Sequence, residues 1–151
     1  MRRDYFTLTA TGVTADESSS PTLSVAYEGP TEEFEDRLRR GSDRLEGDGI
    51  DVTYRLRDSL DDDSPMGVFA VSDRVTGEYV LELNAGADEI RSVVEAVGDG
   101  GDGDGNGRYR LLIESEDGRE MAAYDKSTLL VYDEDGELLR DRSLIPSGVE
   151  I

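Results

Sequence analysis

The sequence predicts an α+β domain built on a mainly antiparallel, twisted sheet of about seven to nine strands with two helices on one face. Three observations carry that prediction. Ile50, Val52, Tyr54 and Leu56 alternate with Asp51, Thr53, Arg55 and Arg57, which is the pattern of a strand with one buried and one wet face. Phe69 and Val71, the turn Thr76-Gly77, and then Tyr79, Leu81 and Leu83 read as a hairpin, and directly afterwards the apolar period changes from two to 3.6. Finally, the order strand, strand, helix, strand occurs twice at an offset of about 56 residues, a tandem ββαβ pattern that short strands extend into a C-terminal β-meander. At 151 residues this is one domain, 1–151, with halves at 4–58 and 66–115 and a meander and tail at 116–151.

Taken in order, Phe6, Leu8 and Ala10 alternate with Thr7 and Thr9, and the polar run from Asp16 to Pro21 ends that strand. Leu23, Val25 and Tyr27 face inward on the next. Gly29-Pro30-Thr31 then opens a helix, with Thr31 as its cap and Glu32, Glu33, Glu35 and Asp36 at the positive end of the dipole. Glu33 with Arg37, Glu35 with Arg39, and Asp36 with Arg40 form acid-first i, i+4 pairs, each contributing about 0.2–0.5 kcal/mol. Phe34, Leu38 and Leu45 make its apolar stripe, and Gly41 either allows close approach to the sheet or ends the helix early. With acids interleaved one turn away, Arg37, Arg39, Arg40 and Arg44 read as a solvated face rather than an anion site.

Past the acidic loop Leu60 to Pro65 lies the hairpin, with Glu78 and Glu82 on its outer face. Ile90, Val93, Val94 and Val97 then define one helical stripe that Gly98 is placed to end. The spacer 98–107 reads as a flexible Gly/Asp loop. Tyr109 to Glu114 is a strand, and Glu116-Asp117-Gly118 turns into Met121 to Tyr124. Ser127 to Tyr132 runs out again, and Asp133-Glu134-Asp135-Gly136 turns into a last strand, Glu137 to Arg140. Both acidic turns place glycine where φ must be positive.

Composition narrows the chemistry. The formal charge is −20, from 36 acids against 16 bases, and the bases are 15 arginines and one lysine, Lys126. Such a surface stays hydrated where salt shortens the screening length to ~3 Å, at about 1 M ionic strength. A halophilic protein of a salty cytoplasm is the expectation. No basic stripe exists to neutralise phosphates, so nucleic acid is not the expected partner. Nor does any window reach the ~20 apolar residues that span a bilayer. The Arg2-Arg3 pair lacks the apolar run of an export signal. The chain has no Cys and no His, which removes disulfides, thiolate and Ser-His-Asp nucleophiles, imidazole shuttles and the usual zinc ligands.

Two sets of candidate site residues emerge. Asp102, Asp104, Asn106 and Gly107 match D-x-D-x-N-G, the first half of a calcium loop, in which hard oxygens alternate before a glycine. The match breaks at position twelve, where Ile113 stands and Glu114 follows one residue late. The second set is apolar. Leu129, Leu130, Val131 and Tyr132 run without interruption, and the tail carries Ile145, Val149 and Ile151; both suit a docking or dimer interface.

The opening Met1-Arg2-Arg3-Asp4-Tyr5-Phe6 and the closing Ser143 to Ile151 resemble an uncharacterised family of small acidic haloarchaeal proteins, a domain of unknown function. The resemblance spans the chain, implies a haloarchaeal cytoplasmic setting and brings no catalytic motif. The expected function is therefore a non-catalytic protein-interaction or regulatory module, in homodimer form or with a protein partner and without a cofactor. The alternative is a small-ligand or calcium-binding protein. No pair of carboxylates is singled out by spacing for acid–base work.

Overall fold

The computed structural model describes residues 5–11, 21–40, 43–46, 49–104 and 108–145, with backbone alone at 40, 43, 44 and 98–104. Chain order is β1 (Phe6–Thr11), β2 (Thr22–Tyr27), α1 (Thr31–Arg37), the short pair β3 (Arg39–Arg40) and β4 (Asp43–Arg44), β5 (Ile50–Leu56), β6 (Met66–Asp73) and β7 (Tyr79–Gly86). Then come α2 (Ala87–Asp104), β8 (Tyr109–Ser115), β9 (Glu120–Lys126), β10 (Leu130–Tyr132) and a 3-10 turn, Arg140–Arg142. The fold is α+β and mainly antiparallel. Eight strands, however, divide between two four-stranded sheets, β1-β2-β8-β9 and β10-β5-β6-β7, instead of forming one, and β3 pairs with β4 alone.

The two sheets arise because each ββαβ unit gives its last strand away. β5 leaves the β1–β2 hairpin and pairs antiparallel with β6, while β8 leaves β6–β7 and pairs parallel with β2. A single wide sheet would present an apolar face that α1, with 7 residues, is too short to share in covering. Divided into two sheets, the inward faces shield each other instead. Leu23, Val25, Leu111 and Ile113 of the first sheet and Val52, Phe69, Val71 and Leu83 of the second all belong to one buried cluster. The C-terminal meander is likewise interrupted. β8 and β9 make a hairpin, but β10 crosses to lie parallel to β5, where Leu129 and Val131 are buried.

Local departures from the sequence reading have local causes. α1 ends at Arg37, so Arg39 and Arg40 are in β3 and are not i, i+4 helical partners of Glu35 and Asp36. Leu38 leaves the helix at φ −78°, ψ 6°, and its carbonyl accepts the Leu45 N–H at 2.8 Å. The predicted stripe residues Leu38 and Leu45 therefore both reach the core, through a tight hairpin instead of a continued helix. Pro30, not Thr31, occupies the cap position, and Glu35 pairs with Arg119 at 3.0 Å.

In β7 a register shift opposite Val71 and Ser72 brings Val80 inside beside Leu81 and turns Tyr79 out, leaving it 55% exposed. Helix α2 does not stop at Gly98 but continues to Asp104, with no proline to break it. The segment read as a flexible loop thus begins as helix, and 105–107 lie outside the described residues. Glu137 to Arg140 forms no full strand. Leu138 bridges Tyr132, the Leu139 N–H reaches the Val131 carbonyl at 2.8 Å, and the chain then enters the 3-10 turn. The two acidic turns behave as read: Gly118 has φ 83° and Gly136 φ 86°.

Polar groups are threaded through the core by aromatic hydroxyls. Tyr27 donates to the Pro30 carbonyl at 2.7 Å, Tyr54 to Ala85 at 2.8 Å and Tyr109 to Thr128 at 2.8 Å. Burial pushes all three hydroxyls above the ordinary value of 10, Tyr27 with help from Glu33 and Tyr54 with help from Asp58. Because the native pKa values are raised, the native state holds protons that the unfolded chain has lost above about pH 10. Stability is therefore expected to be insensitive to these groups below that pH and to fall above it. In an alkaline titration followed by tyrosinate absorbance, Tyr54 and Tyr109, two of the seven tyrosines, should ionise only together with loss of the circular dichroism signal. Complete ionisation of a chain that is still folded would contradict this.

Candidate functional site

Helix α2 begins without a loop. β7 ends at Gly86, the Ala87 N–H donates to the Pro65 carbonyl at 2.9 Å, and Asp88 and Glu89 occupy the first turn, where the dipole favours them. Glu89 also reaches the first sheet, its Oε2 accepting the Ala10 N–H at 2.7 Å. Ile90, Val93 and Val97 are buried as the 3.6 period predicts, while Val94, the fourth residue of the stripe, is only half-buried.

Val94 is half-buried because it faces a pocket of about 310 Å³. The floor is Tyr54 and Leu56 of β5, Ile90 of α2 and Val131 of β10, with Leu60 on the wall. The Tyr54 hydroxyl is committed to the Ala85 carbonyl. The rim is ionic: Arg91 and Glu95 come from α2, and Asp141 and Arg142 come from the 3-10 turn. Arg91 also pairs with Asp88 at 3.0 Å, in an exposed bridge that holds it weakly. An apolar floor with a few polar groups at the mouth is the general form of a small-molecule site, and this volume lies at the small end of the usual range of about 300–1,000 Å³.

The residues singled out in the sequence are placed otherwise. Leu129 and Val131 are buried in the chain's own core, and Leu130 and Tyr132 are half-buried. The outer edge of β10 is occupied: Leu129 and Leu144 exchange backbone hydrogen bonds of 3.1 and 2.8 Å, and the Val131 N–H donates to Ser143 Oγ at 2.9 Å. The chain's own residues thus close the backbone edge of this run. Ile145 is half-buried, and Val149 and Ile151 lie outside the described residues.

Asp102 and Asp104 fall in the last turn of α2, whose backbone is helical and not the turning loop of a calcium site; Asn106 lies outside the described residues, and Glu114 is half-buried on β8. A different acidic trio, Asp133, Glu134 and Asp135, brings carboxylate oxygens within 4.8 Å of one another. Asp133 Oδ1 already accepts the N–H groups of Asp135 at 2.9 Å and Glu137 at 2.8 Å, so it serves the turn.

The residue-level pattern of the full chain matches the model of one family, over residues 1–151. The chain belongs to DUF5793, a family of unknown function. No curated protein and no solved structure matches it. Among the described residues of this DUF5793 chain, no helix is long and apolar enough to cross a membrane. The pocket's composition was only faintly signalled in the sequence. Val94 widens the α2 stripe beyond what a core needs, but Leu60, Asp141 and Arg142 meet it through long-range folding that leaves no local pattern.

Proposed function

We propose that the chain is a non-catalytic binding module whose ligand, a small molecule, sits between α2 and the 3-10 turn. The observation that carries this reading is the 310 Å³ pocket with its apolar floor and four ionic groups at the mouth. Support for a non-catalytic role comes from the inventory of side chains. The chain offers no His or Cys, and the hydroxyls of its three most deeply buried tyrosines, Tyr27, Tyr54 and Tyr109, are spent on carbonyls. The exposed Asp117 carboxylate is held below its usual range by the Ser115 hydroxyl and the Arg119 N–H, the wrong direction for a general acid. A salty cytoplasm is the setting this reading assigns to the charge of −20. A calcium site at 102–114 draws no support from the helical backbone at 102–104.

The test is a fragment screen in molar KCl observed through backbone amide resonances. Hits are expected to shift amides from Ala87 to Glu95 and at Asp141 and Arg142. Val94→Trp, which fills the pocket, should abolish those shifts while keeping the dispersion of a folded chain. Shifts that ignore Val94→Trp, or that fall on another surface, would overturn the assignment.

One observation favours a second reading, contact with a protein partner. The exposed large apolar residues among those described, Met66, Val75 and Tyr79, all lie on the β6–β7 hairpin. If this hairpin is a self-association surface, light scattering in molar KCl should give a dimer that Tyr79→Lys converts to a monomer. A monomer at every concentration removes the homodimer form of this reading.

A further inference from the structure

Resting on the pocket reading above, we infer that the ligand class is a zwitterionic amino acid with an aliphatic or aromatic side chain, its body on the floor and its two charges at the rim. The rim selects for charge. In a chain with 36 acids to 16 bases, these four positions hold two of each sign, and each wall supplies one of each. Arg91 and Glu95 are one helical turn apart and so share a face of α2, while Asp141 and Arg142 are neighbours on the opposite wall. A ligand carrying one charge meets as much repulsion as attraction at such a mouth. A ligand carrying both charges on one carbon can pair its carboxylate with an arginine and its ammonium with an acid.

The lining also argues against other small molecules. It contains no Ser, Thr, Asn or Gln, so the neutral donors and acceptors that recognise sugars and nucleobases are missing from this pocket. Its volume of about 310 Å³ holds a short branched chain or a single ring. The floor of Tyr54, Leu56, Ile90 and Val131 offers carbon surface and a ring face, the partners of such a chain.

The experiment compares three related molecules by saturation-transfer NMR and titration calorimetry in molar KCl: L-leucine, 3-methylbutylamine, which lacks the carboxylate, and 4-methylpentanoate, which lacks the amine. Leucine is expected to bind, and each truncated molecule to bind about tenfold more weakly or worse, the loss that follows from one charge-assisted hydrogen bond. Arg142→Gln, at the rim and outside the core, should remove the preference for leucine over the amine without unfolding the chain. Equal binding of all three molecules, competed away in Val94→Trp, would overturn the zwitterion inference and leave the pocket reading standing. Failure of leucine while other fragments still shift α2 would do the same. If neither leucine nor any fragment perturbs α2, the pocket reading itself fails.

Discussion

Replacing Lys126 with methionine is expected to lower the melting temperature by about 10 °C, the shift that follows from a loss of about 3 kcal/mol in a chain of this length. Lys126 is the only lysine in the sequence and is buried at 6% exposure, on β9 of the first sheet. Its Nζ donates at 2.9 Å to the carbonyl of Ile50 on β5, so one ammonium ties the two sheets together. Asp73, the register partner of Ile50, is buried as well at 7%, so groups of both signs are drawn into the same end of the core. Methionine keeps most of the volume and removes the charge. The cost then reports the polar tie, not a cavity.

Lys126→Arg sharpens the test. Every other basic position in the chain is arginine, so arginine is available and compatible with the surface. Inside, its planar five-donor head needs more partners and more room than a point-charge ammonium. Both variants should therefore melt below the parent in the same KCl concentration. Arg91→Lys, on the exposed flank of α2, should shift the midpoint by less than about 2 °C, since exposed substitutions stay within about 0.5 kcal/mol. An unchanged midpoint in Lys126→Met would mean that the inter-sheet hydrogen bond contributes nothing net.

The solitary lysine illustrates what the sequence reveals and what it withholds. Its oddness stands out in the composition, yet nothing near 126 says that its partner is Ile50, 76 residues away. The elements themselves were legible. β5 has the alternation Ile50, Val52, Tyr54, Leu56 inward, and the α2 stripe and the two glycine turns have the local chemistry that specifies them. What periodicity does not carry is the choice of neighbour. A strand with one apolar face looks the same whether that face is covered by helices or by another sheet, so the division into two sheets and the exchange of β5 and β8 were invisible. The apolar run at 129–132 follows the same rule. Leu129 and Val131 are core residues, and Leu130 and Tyr132 lie half-buried on a strand whose free edge the chain closes with its own residues Leu139 to Leu144. The pocket was the least legible of all, because Tyr54, Leu60, Val94 and Arg142 are distant in the chain and share no motif.

Gly67 links the fold to that pocket, and Gly67→Ala is expected to cost about 3 kcal/mol while also weakening ligand binding. A Cβ at this position of β6 would lie 2.5 Å from the backbone oxygen of Arg55 and 2.6 Å from Cζ of Tyr54. The carbonyl belongs to the adjacent strand β5, with Leu56 as the register partner of Gly67, and it cannot move without breaking the ladder. The ladder is strained at that carbonyl, and the Tyr54 ring must yield as well. That ring is buried, its hydroxyl is bonded to the Ala85 carbonyl, and the residue lines the pocket, so a displaced Tyr54 forfeits the hydrogen bond and deforms the site together. Gly86→Ala is the matched control. The nearest atom to a Cβ there is the Met66 sulfur at 3.9 Å, which is ordinary contact, and the substitution should leave melting within about 2 °C of the parent. Thermal unfolding of both variants, with amide shifts at Ile90 and Val94 as the local readout, separates the outcomes. A Gly67→Ala chain that melts like the parent would show that β5 and β6 can part to admit a methyl group. If it melts early but leaves Ile90 and Val94 unmoved, Tyr54 stays in place and the strain is taken up in the sheet.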